Sequence, residues 1–195
     1  PLANLKWKIY NPLSESSCYA IITHFISNNY SVVVPQKIQN ITVTKIDRNA
    51  FFRCGEMSQI VFPETLNDIG SPAFNRCYQL RRIVIPNGVS IIRESTFFKC
   101  SNLKEVILPD TINTIKEYAF SECKNLTHII IPKEVREIES YAFSKCENLK
   151  TVKFLGDAPI NVPNVFKGLQ PILYRAKDST GWKKLWAGRS VLLEL

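Results

Sequence analysis

The chain has 195 residues, of which 45% are hydrophobic and 22% charged, and its net charge is +8. This composition excludes a disordered chain and a coiled coil, and the length is sufficient for one folded unit with a buried core. No run of eighteen uncharged apolar residues occurs, so the sequence predicts no transmembrane segment.

The N-terminal part of the chain predicts a β-hairpin. Residues 5–10, LKWKIY, and residues 18–26, CYAIITHFI, have the alternation and the apolar content that are typical of strands. We expect the two segments to pair and to cover the first turn of the structure that follows, because an open sheet edge and a bare core need a cap. Residues 1–31 are therefore predicted to form an N-terminal cap.

Residues 32–170 form a series of repeats with a period of 23 residues, except that the first repeat carries five extra residues. Self-similarity at this period is typical of a solenoid, because one short unit buries its apolar face only by stacking on its neighbours. Two columns of the repeat are Phe51, Phe74, Phe97, Phe120, Phe143 and Phe166, and Ile46, Ile69, Ile92, Ile115 and Ile138.

Each repeat begins with a short alternating segment that ends at a proline. In LKEVILP, Leu103, Val106 and Leu108 are expected to point inward, while Glu105 and Ile107 point outward, as the two-residue period of a strand requires. The proline closes the strand where the loss of an N–H donor costs least.

The second half of each repeat is predicted to contain a second short strand and a helical turn. In the segment that follows LKEVILP, the second strand buries Ile112 and Ile115, and a helical turn then carries Ala119, Phe120 and Cys123 inward. The expected architecture is an α/β solenoid, with short parallel strands in two ribbons around a narrow core.

Five cysteines occupy one column of the repeat. Equivalent residues in stacked coils lie about 4.8 Å apart, whereas a disulfide needs β-carbons about 3.8 Å apart and a turned dihedral angle. No Cys-x-x-Cys pair suited to zinc occurs. We therefore predict a ladder of buried thiols, with Cys18 as another buried thiol outside it. The column is Cys54, Cys77, Cys100, Cys123 and Cys146.

After Phe154 the pattern decays, and residues 171–195 are predicted to form a C-terminal cap with a strand at PILYR and a short helix around GWKKLW. With the two caps, residues 1–195 make a single predicted domain. An aromatic and basic mixture in this cap suits a polyanion, a glycan or a lipid surface, but the favoured interpretation is that the tryptophans seal the last coil. The mixture consists of Trp182, Lys183, Lys184, Trp186 and Arg189.

The segments LKEVILPDTINTIKEYAFSEC and LTHIIIPKEVREIESYAFSKC closely resemble the BspA-like class of leucine-rich repeats, over about residues 30–170. The resemblance implies a right-handed leucine-rich repeat solenoid. It also implies an extracellular or cell-surface location on a bacterium, although the sequence starts at Pro1 without a basic, then apolar, leader. Family members of this kind include adhesins that bind host matrix proteins or other cells.

One outward-facing strand position is apolar in consecutive repeats. An apolar stripe rimmed by polar residues often marks a contact site, and solenoids commonly bind along a strand surface. β-branched residues also suit strand surfaces to which nothing binds, so a purely structural stripe is the alternative. The column reads Val61, Val84, Ile107, Ile130 and Lys153, with Val33 before it, beside Gln59, Arg82, Glu105, His128 and Thr151. The candidate partner-binding residues are Val61, Arg82, Val84, Glu105, Ile107, His128, Ile130 and Lys153.

Catalysis and cofactor binding are not expected. The two histidines, His24 and His128, are separated by the body of the predicted stack, and no glycine-rich phosphate loop occurs. Nucleic acid is a disfavoured partner, because no recognition motif occurs and the positive charge is spread along the chain. The sequence therefore predicts a non-enzymatic adhesion or interaction module whose partner is a host matrix or cell-surface protein. A glycan is the second candidate partner, and a passive spacer within a larger envelope protein is the alternative function.

Overall fold

The computed structural model describes residues 4–10, 18–26, 30–160 and 162–193. Over this part of the chain the fold is a β-solenoid of about seven coils. The strands are β1 Leu5–Tyr10, β2 Tyr19–Phe25, β3 Ser31–Val33, β4 Lys37–Ile38, β5 Ile41–Ile46, β6 Gln59–Val61, β7 Asp68–Ile69, β8 Arg82–Val84, β9 Ile91–Ile92, β10 Glu105–Ile107, β11 Thr114–Ile115, β12 His128–Ile131, β13 Glu137–Ile138, β14 Thr151–Phe154, β15 Ile172–Arg175, β16 Leu185–Trp186 and β17 Arg189–Leu193.

The strand that opens each repeat belongs to a parallel ribbon, which we call the first ribbon. It runs through β3, β6, β8 and β10, and continues through β12, β14, β15 and β17. The register places equivalent residues side by side, so that Val33 pairs with Val61 and Val84 pairs with Ile107. Columns in the sequence thus become rows across the ribbon.

A second ribbon of parallel strands lies on the other side of the core. Strands β2, β5 and β7 pair in parallel, and β9, β11 and β13 do the same in later coils, with Ile160 bridged to Glu137 beyond them. The predicted N-terminal hairpin is confirmed, because β1 pairs antiparallel with β2 and β2 joins this ribbon. Lys6 and Lys8 are exposed on β1, and charges on an edge strand oppose pairing with another chain.

A stack of phenylalanine rings lies between the ribbons. Neighbouring rings from Phe51 to Phe166 have centroids 4.9–5.7 Å apart, and each of these rings is at most 1% exposed. Phe25 of the hairpin extends the stack, at 5.6 Å from Phe51. Leu103 and Val106 are buried as predicted, and Leu108 is half-buried against the same core.

The predicted helical turns are wrong: the described residues form no α-helix in these segments. The physical reason is that their amides bond between coils. Phe97 N donates to Ala119 O at 2.8 Å, and Lys99 N donates to Ser121 O at 2.9 Å. Amides committed to the next coil cannot also build the bonds of a helix, so each segment is a series of tight turns.

The short helix predicted around GWKKLW is also wrong. This segment is a hairpin of β16 and β17, in which Ala187 and Gly188 have φ values of 48° and 74°. Two consecutive residues with positive φ suit the tight turn of a hairpin. The predicted strand at PILYR is present as β15.

The tryptophans of this region seal the last coil. Trp186 is 2% exposed, and its Nε1 donates to Pro159 O at 2.8 Å. Both Trp182 and Trp186 pack edge-on against Phe154, with centroids 4.9 and 5.1 Å away. These contacts support the structural interpretation of the aromatic residues rather than a ligand site.

The predicted thiol ladder is present. The last four cysteines of the column are buried, whereas Cys54 at the start of the column and Cys18 in the hairpin are half-buried. Burial raises the pKa of the Cys146 thiol to about 12, so these groups are inert near neutral pH. Each buried thiol donates to the carbonyl oxygen of a phenylalanine in the preceding coil: Cys77 to Phe51 at 3.0 Å, Cys100 to Phe74 at 3.2 Å, Cys123 to Phe97 at 3.3 Å and Cys146 to Phe120 at 3.0 Å.

Candidate functional site

The outer face of the first ribbon carries a continuous apolar row. Each of its residues follows a buried residue in a short strand, and the two-residue period of the strand turns it outward. We call this row the apolar stripe. Its members and their exposed fractions are Val33 58%, Val61 56%, Val84 40%, Ile107 39% and Ile130 47%.

Beyond the stripe, polar residues occupy the next positions of the same row. Ile130 pairs with Lys153, and Lys153 pairs with Tyr174 in the next coil. Lys153 and Tyr174 are both half-buried. Ile130 is therefore the last residue of the apolar stripe, and Lys153, which the sequence predicted in the same column, continues the row with a charged side chain.

The polar column beside the stripe forms a rim. Arg82 and Glu105 pair across neighbouring coils, with Nε and Oε2 2.8 Å apart. His128 lies one coil further along, and its Nδ1 is 3.1 Å from Thr127 Oγ1. An exposed ion pair such as this one adds about 0.2–1 kcal/mol to stability, so the rim acts mainly by shaping the surface charge.

A shallow groove of about 380 Å³ lies over the middle of the stripe. Val61, Val84 and Ile107 line it together with Arg82. Glu105 borders it through its pair with Arg82, whereas the predicted residues His128, Ile130 and Lys153 lie outside it in later coils. The structure thus gathers five of the eight predicted residues around one depression, while the other three lie further along the ribbon.

Sequence reasoning missed part of the groove lining. Phe62 forms an apolar wall, and Glu64 and Asn87 add polar groups at the turns after the strands. A signal for Phe62 was available, because the equivalent positions hold the smaller Ile85 and Leu108. A ring that is larger than its equivalents in the next two coils indicates a local irregularity in the surface.

The outer face of the second ribbon differs in chemistry. Asp68 pairs with Lys45 at 2.8 Å and with Arg93 at 3.0 Å. Lys116 pairs with Glu139 at 2.5 Å, and the hydrogen bond to that carboxylate raises the pKa of the lysine. Charged groups on this face therefore satisfy one another.

The described residues offer no site for metal chemistry. No group of three or more His, Cys, Asp or Glu side chains lies together among them. His24 lies on β2 in the hairpin and His128 lies on β12, in separate sheets.

Residues 31–150 match the family model described as the BspA type leucine rich repeat region, in six copies. The chain belongs to the BspA-type leucine-rich repeat family. Leucine-rich repeats generally serve as protein-interaction folds with extended binding surfaces. None of the curated protein sequences matches the chain.

Solved structures of other bacterial leucine-rich repeat proteins share the fold of this BspA-type chain. A leucine-rich repeat protein of T. pallidum is 24% identical with a TM-score of 0.76, over 99% of this chain and 85% of its own. A leucine-rich repeat protein of Bacteroides ovatus is 20% identical with a TM-score of 0.63, over 97% of this chain and 66% of its own.

A third solved structure shares the fold and comes from a protein described by its location. It is a leucine rich cell surface protein from Faecalibacterium prausnitzii, 17% identical with a TM-score of 0.50, over 95% of this chain and 72% of its own. In the described part of the BspA-type chain, no helix has both the length and the hydropathy needed to cross a membrane.

Proposed function

We propose that this chain is a non-enzymatic interaction module of an exported or surface-bound bacterial protein. In this proposal residues 32–170 provide the binding surface, and residues 1–31 and 171–195 cap the stack. The observation that carries the proposal is the apolar stripe, a row of five exposed β-branched residues on the first ribbon, whereas the second ribbon carries several ion pairs on its outer face.

The stripe is large enough to contribute to binding. Complete burial of a valine or isoleucine side chain contributes about 1.5–3 kcal/mol, so each half-exposed residue of the stripe offers roughly 1 kcal/mol to a partner that covers it. Five such residues offer about 5 kcal/mol before the costs of association are subtracted. The polar rim, including Arg82 and Glu105, would then set the register of the partner.

The proposed partner is a protein of the host matrix or of another cell surface. A folded protein presents the combination of apolar area and polar rim that the first ribbon matches, and the groove over Val61, Val84 and Ile107 accommodates a protruding side chain. The described surface location of the F. prausnitzii protein supports the same placement for this chain. A glycan is the second candidate partner.

The proposal is tested by incubating the tagged protein with an array of host matrix proteins, glycans and nucleic acids, first at moderate salt and then at high salt. Capture of a matrix protein that survives high salt is expected, because apolar contacts are not screened by ions. Capture lost entirely at high salt would contradict the role of the stripe. Absence of capture throughout would favour a passive spacer in a larger envelope protein.

A further inference from the structure

A second row of side chains follows the turns that join the second ribbon to the first. The residue directly before each cysteine of the column is charged, and backbone bonds between coils hold these residues in register. Arg76 N donates to Phe98 O at 2.8 Å, for example, and Lys99 N to Ser121 O at 2.9 Å. Equivalent positions are therefore separated by about 4.8 Å per coil. The row consists of Arg53, Arg76, Lys99, Glu122 and Lys145.

All members of this row have a left-handed backbone, with φ values from 57° to 64°. Glycine adopts this conformation most readily, and in the last coil Gly168 occupies the equivalent position at φ 83°. Long charged side chains stand in the other coils, where the turn itself would favour glycine or asparagine. The turn itself does not require these charges, since Gly168 makes the equivalent turn without one.

Positive charge dominates the row. Glu122 is its one carboxylate, and it lies 3.6 Å from Lys99 and 3.9 Å from Lys145. Lys167, next to Gly168, adds a further exposed cation near the last coil. Within the described part of the chain, Arg53, Arg76 and Lys167 have no carboxylate at ion-pair distance. We call the five cations the basic ridge: Arg53, Arg76, Lys99, Lys145 and Lys167.

Most of the aromatic rings beside the basic ridge are already engaged, whereas Tyr78, two residues after Arg76, is 42% exposed. Tyr118 and Tyr141 stack on each other with centroids 5.2 Å apart, and Lys167 lies 5.4 Å from the Tyr141 ring. Lys99 lies 5.2 Å from the ring of Phe98 in the same way. Single-stranded nucleic acids bind through bases that stack on open aromatic faces. A polyanion without bases therefore fits this surface better.

We propose that the basic ridge binds an anionic polysaccharide that lies along the solenoid axis. Five cations face one carboxylate, and the stretch from Arg53 to Lys145 covers four steps, or about 19 Å. A chain with regularly spaced sulfate or carboxylate groups matches such a row of cations. None of the residues of the basic ridge lines the groove over the apolar stripe, so this site is separate from the proposed protein-binding surface.

The test measures binding to immobilised heparin, to hyaluronan as a probe with carboxylates alone, and to single-stranded DNA. The double variant Lys99→Gln, Lys145→Gln is compared with Lys183→Gln, Lys184→Gln, which removes the same charge from exposed positions outside the ridge. Glu122→Lys completes the row of cations and serves as a gain-of-binding variant. Thermal melting of each variant shows that it is folded.

We expect the ridge variant to bind heparin about tenfold more weakly, the control variant to change less than about twofold, and Glu122→Lys to bind more tightly. Binding to hyaluronan but not to heparin would identify carboxylates as the recognised groups, and it would still support the basic ridge as the binding site. Equal losses in the two double variants would overturn the proposal, since net charge alone would then explain binding. Tighter binding of single-stranded DNA than of either polysaccharide would overturn the choice of ligand.

Discussion

The two ribbons of this solenoid share one core and one period, yet their outer faces have opposite chemistry. The first ribbon exposes the apolar stripe, whereas the second ribbon exposes charges that pair with one another, such as Asp68 with Lys45 and Arg93. A folded chain gains little from apolar groups left in water. The difference therefore points to the first ribbon as the face on which a partner is expected.

The inner residues of the solenoid serve stacking, whereas the outer residues are available for binding. Stacking fixes the residues of the shared core, because a ring such as Phe120 lies between two others, Phe97 and Phe143. It leaves the outer residues free to vary, provided that they suit a strand. Four variants test this separation. The first disrupts the core that the two ribbons share, and the last changes only the outer face of the first ribbon.

Phe120→Ala removes part of the core on which both ribbons depend. The ring is fully buried between Phe97 and Phe143, and a stacked core collapses poorly around a cavity. We expect a loss of about 3–5 kcal/mol in the free energy of unfolding, measured by denaturant titration. Phe98→Ala, at a half-buried position next to the same stack, is the control and should cost clearly less. Equal costs would show that the phenylalanine stack is not the common support.

Gly88→Ala tests the passage from the first ribbon to the second. A β-carbon at Gly88 would lie 2.5 Å from the Leu66 carbonyl oxygen in the preceding coil, so the coils must move apart. We expect a loss of about 1–3 kcal/mol by the same titration. Gly55→Ala is the matched control, since its β-carbon would meet Tyr78 at an ordinary 3.7 Å. A Gly88 variant as stable as the Gly55 variant would contradict this close approach of coils.

The thiol ladder makes the shared core sensitive to alkali. Burial raises the pKa of Cys146 to about 12, whereas an unfolded thiol ionises near about 8.5. The folded state therefore holds the proton more tightly. The contribution of the protonated Cys146 thiol to the free energy of unfolding is complete below a pH of about 8.5. It is lost progressively as the pH rises towards 12, at about 1.4 kcal/mol per pH unit.

The measurement compares the parent with Cys146→Ala at pH 7 and pH 10. The stability advantage of the parent should shrink by about 2 kcal/mol at the higher pH, because the variant lacks this ionisation. Other alkaline titrations affect both proteins equally and cancel in the difference. An advantage that is unchanged between the two pH values would show that the thiol is not buried as the structure places it.

Val84→Lys combined with Ile107→Lys changes only the outer face of the first ribbon. Both side chains are about 40% exposed, so lysine can extend into solvent without opening the core. We expect the melting temperature to stay close to that of the parent, with a change in stability within about 0.5 kcal/mol. A large loss of stability would show that the inward and outward assignment of the strand is reversed.

The sequence was sufficient to predict the inner columns, because burial imposes a strict period on them. Phe120 and Cys123 are fully buried as predicted, and the alternation in LKEVILP correctly placed Val106 inside and Ile107 outside. Local hydrogen bonding could not be predicted in this way. Whether Lys99 N donates to a carbonyl of its own segment or to Ser121 O of the next coil depends on how the coils stack. Because the bond forms between coils, the segment adopts tight turns and not the expected helical turn.

The candidate site was predictable only as a row. The repeat of the outward column predicted Val61, Val84 and Ile107, but the groove is also lined by Phe62, whose ring is larger than its equivalents Ile85 and Leu108. The hairpin of β16 and β17 was also missed, because lysines around two tryptophans have no helical or strand period to separate the alternatives.

The most direct test of the central claim is a capture measurement with two double variants that carry the same added charge. Val84→Lys, Ile107→Lys alters the apolar stripe, and Thr114→Lys, Ile160→Lys alters the outer face of the second ribbon, where Ile160 is 61% exposed. Each variant is presented at high salt to the matrix protein that the parent captures. We expect the stripe variant to lose capture and the second-ribbon variant to keep it. Retained capture by a folded stripe variant, or equal loss in both, would contradict the claim that the first ribbon is the binding face.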